Sequence, residues 1–419
     1  MTPSRAVVVG SGGREHALAL ALARSVDEVL VTPGNPGIEG SVPVPATELD
    51  ADLFVIGPEV PLTDGLADRL RAQGKRVFGP GADGARLEAS KRWMKEVLDA
   101  AGVPTARHRS FTADRVDDAV RFLGEFGDLY VVKTDGLAAG KGVLVTTDRS
   151  EAVHDVRAKL SGASFGEAGT TVVIEEGMSG PELSVFAVCD SRRAVVLRSP
   201  ARDHKRLGDG DSGPNTGGMG AYSPVPQVDD DLLEDVAGAA IEPTLAELAR
   251  RGIDYRGVLY AGLMLTPDGP KVLEYNVRFG DPEAQVVLPR LTTDLADLLA
   301  GAADGCVRDD VRYTTDALVV VVCASEGYPT APRTGDPVSG IDEAGAVDGA
   351  IVLCAGVAAG DDGGLVTAGG RVVDIVGRGT TLAQARARAY AAVERVAWPG
   401  MHHRTDIAAA AAAYEGAGQ

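Results

Sequence analysis

The sequence predicts a multidomain chain, α/β in its first part and α+β beyond it. Three observations carry this. The chain has 419 residues, too many for one ordinary core. Over the first hundred residues, short apolar runs alternate with helical stretches, and a glycine or proline turn follows each run. From about Tyr313 the texture changes to short strands, VVVVCA, AIVLCAG and RVVDIVG, separated by glycine-rich turns. The expected bounds are 1–104 for a doubly wound N-terminal domain, 105–312 for a central domain with a lid over about 114–190, and 313–419 for a small α+β domain.

Residues 6–18 read AVVVGSGGREHAL, an apolar strand, a glycine turn and a helix. Glycines there let a backbone approach an anion at a helix N-terminus. The dinucleotide fingerprint fails, because His16-Ala17 stand where the third spaced glycine belongs. The next strand, 28–32, ends in Pro33-Gly34-Asn35 without a ribose-gripping acid. The expectation is a turn for a smaller phosphorylated substrate, weighed evenly against a plain tight turn. Strands at 53–56 and 76–78 end at Gly57-Pro58-Glu59 and Gly79-Pro80-Gly81. Doubly wound parallel sheets bind ligands at such strand ends. Ser90 is the expected N-cap of a helix that Gly102 stops.

A helix over 114–126 presents Val116, Ala119, Val120, Leu123 and Phe126 on one face. Residues 130–145, YVVKTDGLAAGKGVLV, read as two strands around a glycine-rich loop. The P-loop spacing fails, and Gly142 replaces the Ser/Thr that would hold magnesium. A hairpin closing over phosphates fits better, with Lys133 on the strand and Lys141 between Gly140 and Gly142. Strands at 171–175 and 183–188 flank Glu175, Glu176 and Glu182; such acids are more often solvated than functional. Residues 201–222 are polar, glycine-rich and aperiodic, and are expected to be a long functional loop. Helices are expected over 229–251, interrupted near Pro243, and over 288–303 and 382–396.

The stretch KVLEYNVRFGDPE, Lys271 to Glu283, concentrates the chemistry. Strand alternation puts Glu274, Asn276 and Arg278 on one face and Leu273, Tyr275, Val277 and Phe279 on the other. A carboxylate and an amide oxygen two residues apart are hard ligands suited to Mg²⁺. An arginine one step on can hold a carboxylate or phosphate. Taken alone, an exposed charged strand face is the better explanation, but it loses ground because the turn Gly280-Asp281-Pro282-Glu283 follows at once and ends the strand there.

The net charge of −19 argues against a nucleic-acid or anionic-membrane partner. An anionic ligand must meet locally gathered cations, and the chain has only eight lysines. No long apolar run suggests a membrane span, and the first residues enter a strand directly, so no leader peptide is expected. Cys189, Cys306, Cys323 and Cys354 are widely spaced beside apolar runs, as for buried free thiols in a reducing cytoplasm.

Several blocks resemble the glycinamide ribonucleotide synthetases of the ATP-grasp superfamily: GSGGREHAL, PGNPG, GPEVPL, KTDGLAAGKGV, DHKRLGDGDSGPNTGGMGAYSP and EYNVRFGDPE, in family order. YPTAPRTGD and HHRTDI extend the match more loosely. The resemblance implies a pre-ATP-grasp domain, an ATP-grasp core with a lid, and a C-terminal domain. It implies ligation of glycine to phosphoribosylamine with ATP cleaved to ADP, through a glycyl phosphate, as a purine-biosynthesis step. Glu274 and Asn276 would then hold Mg²⁺ or Mn²⁺. Lys91, Lys133, Gly140, Lys141 and Gly142 would take phosphates, Glu175 and Glu176 the adenine, and Glu182 the ribose. Arg278 would meet the glycine carboxylate, and Asp203 and Asp211 its amine. Gly12, Gly13, Asn35 and Glu59 would frame phosphoribosylamine. A cytoplasmic monomer without nucleic-acid or membrane partners is expected. Three positions depart from the family pattern: Ser11 for Asn, Thr134 for Ala, and Gly177 for an aromatic beside adenine. An aromatic restored at Gly177 is expected to tighten ATP binding. A carboxylating ATP-grasp ligase, a nucleotide sensor and an NAD-dependent dehydrogenase are the rival readings.

Overall fold

The structure, a computed structural model, describes residues 2–137, 142–162 and 171–417. The first sheet is parallel. Arg5–Gly10 lies between Glu28–Pro33 and Leu53–Ile56, and Val77–Phe78 pairs outside the latter. Val7, Val9, Phe54 and Ile56 enter one core, and Ala6, Val8, Leu53 and Val55 enter another on the opposite face. A sheet buried on both faces needs such unbroken apolar runs. Its strands all end at one edge, where Gly10, Gly57 and Gly79 turn the chain.

A four-stranded antiparallel sheet follows, ordered His108–Thr112, Thr171–Glu176, Tyr130–Thr134, Val143–Thr146. Helices Val116–Leu123 and Arg149–Leu160 share a separate core with it, around Phe111, Phe122, Val132, Val156 and Ile174. The central sheet is antiparallel: Ala194–Val196, Glu182–Asp190, Arg256–Thr266, Gly269–Asn276. The last two strands form the expected hairpin.

The stretch 201–222 is not a simple loop. Arg202–Asp203 and Gly220–Ser223 add strands to the C-terminal sheet beside Ala317–Ala324, Arg371–Gly379 and Ala350–Cys354. Arg206–Gly208 and Ser212–Asn215 pair as a small hairpin. Strands of two to four residues broken by glycines leave no room for a period-two pattern. Helix 229–251 is interrupted by a π turn at Ala237–Ile241, just before Pro243, which has no N–H to continue an α ladder. The expected helix over 288–303 begins only at Leu295, capped by Asp294; Pro289 confines the earlier residues to a short 3₁₀ turn. Cys189, Cys323 and Cys354 are buried thiols, but Cys306 is exposed.

Candidate active site

The strand Gly269–Asn276 carries the centre of the site. Glu274 pairs with Gly262 but Val272 with Leu263, so the register slips at Leu273. The buried row is therefore Val272, Tyr275, Val277 and Phe279, and Leu273 is only half-buried. A bulge re-aims groups next to it, and here the Leu273 carbonyl accepts from Lys133 Nζ at 3.1 Å. Glu274 keeps 39% of its side chain exposed. Lys205 Nζ lies 4.0 Å from its Oε1 and donates to Glu182 Oε2 at 2.6 Å. Burial opposes ionisation of Glu274, but Lys205, Lys133 and Lys91 overcome it and hold its pKa below the usual value. Three of eight lysines thus surround one carboxylate in a chain of net charge −19.

Lys133 is fixed from below. Glu175 is buried between Lys133 Nζ at 3.0 Å and Lys95 Nζ at 3.1 Å. Lys95 also donates to Thr105 Oγ1 at 2.7 Å, which donates to the Val272 carbonyl at 2.6 Å. Glu175 therefore faces two lysines, one on each carboxylate oxygen. Burial raises its pKa, but the two lysines prevail and lower it. Glu176 accepts the Arg107 N–H at 3.0 Å. Lys91 Nζ reaches the Gly136 carbonyl at 3.1 Å, and Ser90 Oγ bonds Asp135 at 3.0 Å, anchoring the start of the glycine-rich loop. Gly140 and Lys141 lie outside the described residues; Gly142 is buried, and its carbonyl accepts the Thr134 N–H at 2.8 Å. Sequence reasoning missed Lys95, whose one signal is its i, i+4 spacing from Lys91.

Gly177 has a structural cause. A Cβ there would lie 2.3 Å from Leu129 Cγ, so Leu129 occupies the space an aromatic would need. An aromatic at Gly177 would require the Leu129 side chain to move.

Arg278 is held by two carboxylates. Its Nη2 donates to Glu88 Oε1 at 2.7 Å and its Nε to Glu59 Oε2 at 3.3 Å. Glu88 was not anticipated from the sequence. Asp203 lies near Pro282, Lys205 and Glu283, with a buried Oδ1 that has no partner among the described residues. Burial and the Glu283 carboxylate push its pKa well up. Asp211 does not belong there. It is 67% exposed and pairs with Arg404 Nη1 at 2.8 Å, in the HHRTDI segment.

The first glycine turn is crowded by acids. The Gly12 N–H donates to Glu15 Oε2 at 2.7 Å, and a Cβ on Gly13 would lie 1.9 Å from Asp374 Oδ2. Asp374 shares the Gln285 amide with Asp281, at 2.9 and 2.8 Å. Gly12 is thus engaged by Glu15, and Gly13 packs closely against the C-terminal sheet. Asn35 is likewise spent internally. Its Nδ2 faces the Ser11, Cys354 and Ala355 carbonyls at 2.8, 3.3 and 3.0 Å, and its Oδ1 accepts the Gly37 N–H at 2.8 Å. Glu59, 28% exposed, remains open to a ligand.

Three family models match in succession: phosphoribosylglycinamide synthetase N domain at residues 4–88, its ATP-grasp (A) domain at 89–284, and its C domain at 318–410. The phosphoribosylamine–glycine ligase of Streptomyces coelicolor is 48% identical, over 97% of this chain and 99% of its own. That of Mycobacterium tuberculosis is 46% identical, over 97% and 98%. The chain belongs to the phosphoribosylglycinamide synthetase family. The solved phosphoribosylamine–glycine ligase of Thermotoga maritima superposes with a TM-score of 0.84 at 35% identity, covering 96% of this chain and 99% of that one. The biotin carboxylase domain of the Hydrogenobacter thermophilus 2-oxoglutarate carboxylase, solved with MgADP and bicarbonate, shares the fold at a TM-score of 0.73 and 14% identity. It covers 96% of this chain and 92% of that one.

A divalent cation fits the synthetase-family site as a shared ligand. Among the described residues, no three His, Cys, Asp or Glu side chains gather to bind a metal alone. Glu274 and Asn276 supply two hard oxygens, and phosphate and water oxygens would complete the sphere.

Proposed function

We propose that this chain is an ADP-forming ligase that joins glycine to 5-phosphoribosylamine, giving glycinamide ribonucleotide in purine biosynthesis. The observation that carries the reading is the gathering of lysines at this strand, with Lys205 Nζ 4.0 Å from Glu274 Oε1 and Lys133 Nζ 3.1 Å from the adjacent Leu273 carbonyl. Phosphoryl transfer needs charge neutralisation and positioning more than covalent help. Lys133 and Lys91 take nucleotide phosphates; Gly140 and Lys141, assigned the same role, lie outside the described residues. Glu176 marks the adenine side, and Glu182 the ribose, with Lys205 on its carboxylate. Glu274 and Asn276 would hold Mg²⁺ or Mn²⁺, which neutralises phosphate oxygens as charge shifts to the leaving ADP.

Arg278 receives the glycine carboxylate. One carboxylate oxygen attacks the γ-phosphorus as the bond to ADP breaks, giving glycyl phosphate. The amine of phosphoribosylamine, near Glu59, attacks the acyl carbon; inorganic phosphate leaves and the amine proton passes to water. Asp203, whose buried Oδ1 has no partner among the described residues, orients the glycine amine. The proposed setting is a cytoplasmic monomer. The free thiols support it, and no helix of the described residues is long and apolar enough to cross a membrane.

The test is ADP release with phosphoribosylamine present, comparing glycine with bicarbonate as co-substrate. Glycine-dependent release is expected. Release with bicarbonate alone would overturn the reading in favour of a carboxylating ligase.

A further inference from the structure

Among the described residues two carboxylates hydrogen-bond Arg278, and they are not equivalent. Glu88 sits at the end of helix Ala82–Ala89, 8% exposed, and Glu59 opens helix Glu59–Thr63 at 28%. The Glu88 contact to the guanidinium is 2.7 Å and the Glu59 contact 3.3 Å. Glu88 does a second thing: its Oε2 accepts the Val277 N–H at 2.9 Å. One carboxylate therefore grips both the side chain of Arg278 and the peptide between Asn276 and Arg278. It does so from the N-terminal family domain, whose match ends at residue 88, across to the ATP-grasp domain.

Charge makes the same distinction. A guanidinium held equally by two acids would have little attraction left for a third carboxylate. Among the described residues Nη1 makes only a long contact, 3.4 Å to the Phe279 carbonyl. We propose that Glu88 is the positioning residue that aims Arg278 at the glycine carboxylate, while Glu59 is the loosely held acid that yields its place on the guanidinium as glycine binds. This rests on the proposed function, because it takes glycine to be the ligand of Arg278. Burial and the nearby Glu59 charge raise the Glu88 pKa against the pull of Arg278, as expected for an acid kept out of water. Other charged groups facing it are Arg14 and the Arg278 guanidinium itself.

The experiment measures KM for glycine, KM for ATP and kcat in wild type, Glu88→Gln, Glu88→Asp and Glu59→Gln, with thermal melting of each. Glycine-dependent turnover by the wild type tests the function itself; its absence would end that reading before any variant is compared. Given wild-type turnover, Glu88→Gln should raise the glycine KM at least about tenfold and leave the ATP KM within about twofold, a loss of one charge-assisted contact. Glu88→Asp keeps the charge but is one methylene too short to span Val277 and Arg278, so it should share the glycine defect. Glu59→Gln should change the glycine KM less than about threefold and raise the phosphoribosylamine KM instead. If Glu88→Asp behaves as wild type, or if Glu59→Gln and Glu88→Gln raise the glycine KM equally, net charge matters rather than aim and the proposal falls. It falls equally if the ATP and glycine KM rise together. Should Glu88→Gln fail to fold, Glu88→Asp against Glu59→Gln decides the matter.

Discussion

Replacing Glu175 by glutamine keeps the shape of the side chain and removes its charge. Two ammonium groups, 3.0 and 3.1 Å away, would then face a neutral amide in a buried space. At an effective dielectric of about 20, each lost attraction amounts to roughly 5 kcal/mol. Desolvation of the three groups cancels much of that in the wild type, and deleting one member of a buried network typically costs about 3–5 kcal/mol. Glu175→Gln should therefore lose about 3–5 kcal/mol in the unit containing Thr171–Glu176. Urea titration followed by Trp93, on the helix that carries Lys95, reads the loss. Hydrogen exchange of strand Thr171–Glu176 localises it. The sign with pH is fixed. The folded pKa of Glu175 lies below its unfolded value near 4.5, so its stabilisation is complete above 4.5 and fades as pH falls through the folded value. The gap between wild type and variant should narrow in acid. A loss below about 1 kcal/mol would match a solvated pair and refute the buried network.

Three further outcomes follow from the same geometry. Lys95 is held at about 8 by burial, against 10.5 in the unfolded chain, so between those values the unfolded state binds more protons; wild-type stability should rise relative to Lys95→Met from pH 8 to pH 10 in urea titrations. Gly177→Ala sets a Cβ 2.3 Å from Leu129 Cγ, and should cost about 1–3 kcal/mol by overpacking without any gain in ATP affinity by calorimetry. Gly13→Ala drives a Cβ to 1.9 Å from Asp374 Oδ2; it should lower the melting temperature, and Asp374→Ala in the same chain should restore part of the loss, a coupling read by a double-mutant cycle.

The parts of this molecule that sequence reveals are those set by neighbours along the chain. The strand bearing Glu274 and Asn276, with Arg278 two residues past its end, is legible because alternation is a local property. So are Ser90 as an N-cap, which accepts the Trp93 N–H, and Gly102 at its positive φ of 68°. The bulge at Leu273 is not, because it depends on register with Arg256–Thr266. Glu88 meets Arg278 from 190 residues away, and nothing in the local pattern marks it as anything but a helix-end acid. Asp211 shows the converse error. It lies within the most distinctive motif of the chain, yet its partner is Arg404, 193 residues on. The packing of Gly13 on Asp374 is not legible either, because Asp374 comes from the C-terminal sheet, where it shares the Gln285 amide with Asp281.

The most direct measurement is glycine-dependent ADP release with freshly made phosphoribosylamine, wild type against Glu274→Ala, with circular dichroism to compare folds. Loss of turnover in a variant that keeps its fold is the outcome the lysine-ringed carboxylate requires. Equal turnover in the two proteins would contradict the placing of the reaction on this strand.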